Sequence, residues 1–381
     1  FADFSVFDTF EPSEDPTPFL HSLEENTVKG WMYSPVTGGG TANVEYEFLT
    51  GNSSAFLPSG TVPYQLYVKD NQASLVSLAK EMGYTTTAFH PYLSSGWNRP
   101  LVYKYMGFDK QMFDTDVTNP EYVRGYISDS CDFKTIQSIT EQGKGQKNFI
   151  FNVTMQNHGG YTNKTFNETV HISGHEGRFP ITEQYLSLIR LTDEDTRSLI
   201  DYFRGVDREV IILFFGDHQP FFPSDFNDAW YQNEDEATHS ERLYHTSYVI
   251  WANYDVAGRE QTSSTEDIST NFLGAEVMNL IGAPLSDYQK AQLSLRESMP
   301  AINIIGYQDS NGSWYLTGTD TSGDGGSLSD ALAAASKARE DLAKMQYLKL
   351  FDHGDSVFTK TLQGAANETN PNLAPGTTKI Q

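Results

Sequence analysis

The chain has 381 residues, of which 38% are apolar and 13% aromatic. That is enough for a sizeable core, so the composition describes a globular protein and excludes a disordered one. A formal net charge of -24 excludes nucleic acid as a partner and argues against a basic patch for anionic lipid. The acidity is assigned to solubility, with no catalytic meaning. The single cysteine, Cys131, rules out an internal disulfide and a thiolate metal site. No apolar run reaches the ~20 residues needed to cross a bilayer, and no signal peptide opens the chain. The chain begins at Phe1 without a Met, so it is read as a piece of a longer protein, with room for a membrane anchor upstream.

In chain order, residues 70–83 read as a helix with Asp70 as cap and Gly83 as stop. Residues 85–89 form a β-rich strand ending at His90. Residues 148–154 form a short apolar strand running into Gln156-Asn157-His158. A long amphipathic helix is predicted over 183–203. Residues 209–215 make the most apolar strand, ending at Gly216-Asp217-His218. Another strand follows at 246–252, then a helix over 268–281 stopped by Gly282 and Pro284. Beyond Pro284 the pattern changes to small antiparallel strands at 302–307 and 314–316 around Asp309-Ser310-Asn311-Gly312. Ser329 then caps an Ala-rich helix to about residue 350. The alternation predicts an α/β sheet covered by helices on both faces. Ligands bind outside the carboxyl ends of such strands, and that is where His90, His158 and Asp217-His218 fall.

Four constellations carry possible chemistry. Asp217-His218 offers a carboxylate and an imidazole to one cation, a donor pair suited to Mn²⁺ or Zn²⁺ rather than Ca²⁺; the alternative is a capped strand end with a bonded histidine. Gly38-Gly39-Gly40-Thr41-Ala42-Asn43 can bring the Thr41 hydroxyl close to a phosphorus atom, where a metal would lower its pKa; the alternative is a flexible loop. It lacks the lysine of a phosphate-cradling GxxxxGK[ST] loop. Trp97-Asn98-Arg99 supplies a guanidinium fork for phosphate oxygens and a ring to wall a small polyol, or simply an exposed Arg on Trp. His158, before Gly159-Gly160, can bond a phosphate oxygen or handle a leaving-group proton, or be a bonded loop histidine.

The ordered set Gly-Gly-Thr-Ala-Asn, Trp-Asn-Arg, Gln-Asn-His and Gly-Asp-His resembles the lipoteichoic acid synthases and related phosphoglycerol transferases of the alkaline phosphatase and sulfatase superfamily. The similarity spans about residues 1–281. It implies a sulfatase-like central sheet flanked by helices over 1–283, a small C-terminal α+β subdomain over 284–362, and a polar tail over 363–381. It also implies Thr41 as nucleophile and metal ligand, with Asp217 and His218 as further ligands of a single Mn²⁺. Trp97, Arg99 and His158 would hold glycerol phosphate, His90 would line the pocket and Asn43 would touch phosphate. The family's metal-binding Glu would fall two positions before Phe1, at the end of a strand outside this sequence. Tyr92 departs from the Asp usual in lipoteichoic acid synthases.

The activity so implied is transfer of glycerol phosphate from phosphatidylglycerol to a glycolipid or cell-envelope glycopolymer through a phosphothreonine intermediate. The setting would be the extracellular face of a bacterial membrane. The alternatives are a phosphodiesterase or phosphatase of the same superfamily, and a non-catalytic glycerol-phosphate-binding surface protein. The sulfatase branch itself is disfavoured, because neither Cys131 nor Thr41 lies in a C/S-x-P-x-R motif.

Overall fold

The computed structural model describes residues 10–230, 235–256, 264–318 and 329–351. Two sheets organise them. In the first, Ile268–Ser269, Thr27–Tyr33, His245–Ala252 and Ile211–Phe215 lie side by side in that order, with Ser264–Thr265 also pairing to Thr27–Tyr33. The His245–Ala252 strand runs antiparallel to both neighbours, with Met32 opposite Thr246 and Leu213 opposite Ile250. Its second half, Tyr248 to Ala252, is buried throughout, which explains the unbroken apolar run of a strand flanked on two sides. In the second sheet, Lys110–Met112, Tyr84–Phe89 and Lys147–Asn152 are all parallel. The sheet system is therefore mixed, not purely parallel as helix–strand alternation alone would give.

The Ile211–Phe215 strand departs from its sequence reading. Its five apolar residues are all only half-buried. Like Lys147–Asn152, it has one paired edge, and neither has a strand on its other edge among the described residues. Both edges look into one large cavity of about 2040 Å³, which leaves the apolar side chains partly uncovered.

Most helices begin where their caps dictate. The 70–83 helix shortens to Leu75–Glu81, because Ser74 and Ser77 form a capping box and Asp70 caps nothing. The long helix runs Pro180–Arg204 with proline in its first turn. The predicted 268–281 helix divides: Ile268–Ser269 pairs with Met32 and Tyr33, and the helix proper is Thr270–Leu280. Gly282, at φ 66, ends it. Near the C-terminus, Gly306–Gln308 pairs with Trp314–Leu316 across the expected turn. Ser329 accepts from Leu332 N at the start of Asp330–Phe351.

The site is carried by a helix that sequence periodicity does not announce, Thr41–Thr50. It is almost wholly buried because three elements enclose it. Thr270–Leu280 packs along it so closely that a Cβ on Gly274 would sit 2.9 Å from the Phe48 carbonyl and 2.7 Å from a Leu75 methyl. Phe48 stacks on Phe151 of the second sheet at 6.0 Å. From the segment after Pro284, Ala335, Ala338 and Leu342 join the same core, while Gln346 accepts from Ser53 N at 2.6 Å and donates to Ser53 O at 2.8 Å. No described helix is long and apolar enough to cross a membrane.

Gly274→Val should overpack the interface with the Thr41 helix and destabilise the fold by about 1–3 kcal/mol. A urea midpoint equal to that of the unsubstituted chain would show the contact to be loose.

Candidate active site

Three glycines turn the chain into the Thr41 helix. Gly38, Gly39 and Gly40 have φ of 69, 153 and 98, backbone that an L side chain resists. Gly40 is the left-handed N-cap and makes no side-chain cap, so the helix opens on bare N–H groups that favour an anion. The second half of the site arrives on the loop after Ile211–Phe215. Two bonds tie the loops together: Gly38 N donates to Gln219 O at 2.9 Å, and Ser34 Oγ donates to Asp217 O at 2.6 Å.

This brings Thr41, Asp217 and His218 into one group. Thr41 Oγ1 donates to Asp217 Oδ2 at 2.6 Å and lies 3.5 Å from His218 Nε2. His218 Nε2 is 3.2 Å from Asp217 Oδ2. The His218 Nδ1–H donates to the Gln219 carbonyl at 2.8 Å, which fixes the tautomer and leaves the Nε2 lone pair toward the other two groups. Burial pushes the Asp217 carboxyl up, but His218, the Thr41 hydroxyl and the His218 amide hold it below the usual carboxylate range. A carboxylate, an imidazole nitrogen and a hydroxyl so close together fit a divalent cation of oxygen–nitrogen preference. Among the described residues no group of three His, Cys, Asp or Glu is placed to hold a metal; the Thr41 hydroxyl stands beside Asp217 and His218 as a third oxygen or nitrogen donor.

The other expected residues divide. His90, His158, Trp97 and Arg99 line the same cavity as Thr41. His90 is buried at 3% exposure, and its Nδ1–H donates to Val153 O at 2.8 Å. Burial first, and then the Arg99 charge, push its pKa down to about 4, so the ring is neutral at pH 7. His158 is exposed and has its pKa lowered, mainly by partial burial. The hairpin Tyr122–Val123/Tyr126–Ile127 steadies it: the Tyr126 hydroxyl lies 3.3 Å from His158 Nδ1, and Arg124 Nη2 donates to the Gln156 and His158 carbonyls, each at 2.9 Å.

Trp97 and Asn98 both adopt left-handed backbone, at φ 56 and 59, which for two consecutive non-glycine residues is strained. The turn aims Trp97 at the cavity and starts the Arg99–Met106 helix. Arg99 is not the exposed side chain that an Arg on Trp would be. It is 3% exposed and ion-paired to Glu45 at 2.6 Å. Asn43 stands apart: it is buried, and its amide donates to Thr61 O at 2.9 Å, away from the cavity lining. Sequence reasoning missed Glu45 and Tyr126. The first was legible as Thr41-x-x-x-Glu45 had the segment been read as helix; no pattern marks the second.

The chain belongs to the Sulfatase family, whose profile matches residues 4–283. It is 32% identical over 278 residues to a putative cyclic beta-1,2-glucan modification protein of Rhizobium meliloti (strain 1021), covering 70% of this chain and 42% of that protein. It is 28% identical over 220 residues to a lipoteichoic acid synthase of Staphylococcus saprophyticus subsp. saprophyticus, covering 54% of this chain and 32% of that one. The chain thus spans less than half the length of these relatives. Its fold is shared with the Streptococcus pyogenes phosphoglycerol transferase GacH in complex with sn-glycerol-1-phosphate, at TM-score 0.68 and 22% identity over 93% of this chain and 85% of that one. It is shared too with the lipoteichoic acid synthase LtaP from Listeria monocytogenes, at TM-score 0.67 and 16% identity over 89% and 87%. The alkaline phosphatase-type architecture expected from the motifs is therefore the one observed.

The His90 shift has a definite sign. Its folded pKa of about 4 lies below the free value, so the unfolded chain binds the proton first. The penalty is absent above pH ~6.5 and complete below pH 4, where it reaches about 3 kcal/mol. Urea midpoints should fall across that window less steeply in His90→Gln than in the unsubstituted chain. A His90 ring titrating near 6.5 by NMR would contradict the buried, neutral assignment.

Proposed function

We propose that this chain transfers glycerol phosphate from a phosphatidylglycerol-type lipid to a hydroxyl of a glycolipid or cell-envelope glycopolymer, with Thr41 as nucleophile. The observation that carries the reading is the meeting of Thr41 with Asp217, 176 residues away, at 2.6 Å, with His218 beside both. A bare threonine hydroxyl is a weak nucleophile; one hydrogen-bonded to a carboxylate at a helix N-terminus is poised for phosphorus. The names of the relatives, lipoteichoic acid synthase among them, support the same substrate class.

In the first step Thr41 Oγ1 bonds to phosphorus and its proton leaves along the hydrogen bond to Asp217. The bond from phosphorus to the diacylglycerol oxygen breaks, and that oxygen takes a proton from His158. A glycerol-phosphoryl-threonine remains. In the second step an acceptor hydroxyl gives its proton to His158 and displaces the Thr41 oxygen, which recovers its own proton. Arg99 lies where it can balance charge on the phosphoryl oxygens, and Trp97 walls the glycerol. His90, kept neutral, adds a polar lining without a competing charge. Thr41, Asp217 and His218 would hold one divalent cation, Mn²⁺ being the expected ion, which when bound lowers the pKa of the Thr41 hydroxyl. The reading places the domain at the outer face of a bacterial membrane.

Thr41→Ala should lower diacylglycerol release from phosphatidylglycerol by at least about 10³-fold while leaving the melting temperature within a few degrees. EDTA should abolish release from the unsubstituted protein and added Mn²⁺ restore it. Near-normal turnover in Thr41→Ala would end the proposal. Free glycerol phosphate as the product, independent of added acceptor, would convert it to a phosphodiesterase.

A further inference from the structure

The Arg99 guanidinium is buried at the start of the Arg99–Met106 helix and is bonded to Glu45 of the Thr41–Thr50 helix. We propose that Glu45 is a positioning residue that clamps one edge of Arg99, so that only the opposite edge is offered to the phosphoryl group of the substrate. This rests on the reading that Arg99 contacts that group.

Glu45 follows Thr41 by four residues on one helix, so the two side chains share a face about 6 Å apart along the axis. Glu45 Oε1 accepts from Arg99 Nε at 3.0 Å and Nη2 at 2.6 Å. Its Oε2 accepts from the hydroxyls of Tyr103 at 2.7 Å and Tyr64 at 3.2 Å. Four donors saturate a carboxylate, and the three residues that supply them, Arg99, Tyr103 and Tyr64, are all buried. Burial, followed by the Glu45 charge, holds both phenols well above their ordinary pKa, so they remain donors. The carboxylate therefore has no freedom to turn.

A guanidinium is planar and carries five N–H groups. Two are committed to Glu45. The Tyr103 hydroxyl also lies within hydrogen-bonding reach of the guanidinium, while Nη1 makes no hydrogen bond to protein among the described residues. Nη1 faces Gly96, where a Cβ would stand 3.2 Å from it, and Gly96 and Arg99 both line the cavity with Thr41. The free edge has the fork geometry that matches two phosphoryl oxygens. The distance from nucleophile to cation is thus fixed by one turn of a buried helix and not by the strained turn at Trp97 and Asn98.

The test uses sn-glycerol 1-phosphate as probe, followed by calorimetry in the presence of Mn²⁺, together with diacylglycerol release. Glu45→Asp keeps the charge but withdraws the carboxylate by roughly 1.5 Å, drawing the guanidinium with it. Binding should weaken at least tenfold and kcat should fall more than KM rises, with the melting temperature little changed. Because any change at a buried ion pair risks unfolding, the unsubstituted protein supplies a second readout. On saturation with the probe, the Arg99 Nη signals should move by NMR while the Nε–H, held by Glu45, stays in place. Unaltered binding in Glu45→Asp alongside lost binding in Arg99→Ala would overturn the positioning role, as would an Nε signal that moves with Nη. Unaltered binding in Arg99→Ala would instead overturn the site assignment beneath the proposal, and the proposal with it.

Discussion

Everything at this site depends on where one buried helix begins. Thr41 stands at its first position because three left-handed glycines deliver the chain there, and the helix cannot shift because Gly274 lets a second helix lie against its backbone. With the helix fixed, the hydroxyl of Thr41 and the carboxylate of Glu45 become two points on one rigid rod. The loop bearing Asp217 and His218 then needs only to be tied to the glycines, which the Gln219 carbonyl does by accepting from Gly38 N.

The charges are arranged by depth. Glu45 and Arg99 are buried and cancel one another, so neither pays the full cost of an isolated ion in the interior. His90 lies at the same depth, has no carboxylate partner, and stays uncharged. Asp217 keeps its negative charge because His218 and the Thr41 hydroxyl stabilise it. The outcome is a cavity wall with a neutralised ion pair at its back and an anionic, hydroxyl-bearing cluster at its front, a donor set that favours a divalent cation.

Much of this was legible in the sequence. Strand ends at His90, His158 and Asp217-His218 advertised one rim, because apolar runs terminating in polar side chains mark the carboxyl edge of a sheet. The Thr27–Tyr33 strand was missed because its lysine, glycine and tryptophan hide the alternation, and the Thr41 helix was missed because a helix buried all round has no polar stripe to read. Asn43 was misplaced for the same reason: two residues after Thr41 on a helix, it points some 200° away, toward Thr61. The edges of Ile211–Phe215 and Lys147–Asn152 that no strand covers among the described residues accord with the strand that the resemblance places upstream of Phe1.

The turn at Trp97 and Asn98 holds two successive residues in a conformation that glycine would occupy freely. Each costs on the order of 1 kcal/mol relative to relaxed backbone. A glycine at position 98 would relieve much of that strain, and substitutions of that kind are among the easiest routes to a sturdier protein. The chain carries the strained turn instead, and the Arg99–Met106 helix begins immediately after it, so the position of that helix depends on neighbours that hold the turn in place. Stability and shape pull in opposite directions here, and shape has prevailed.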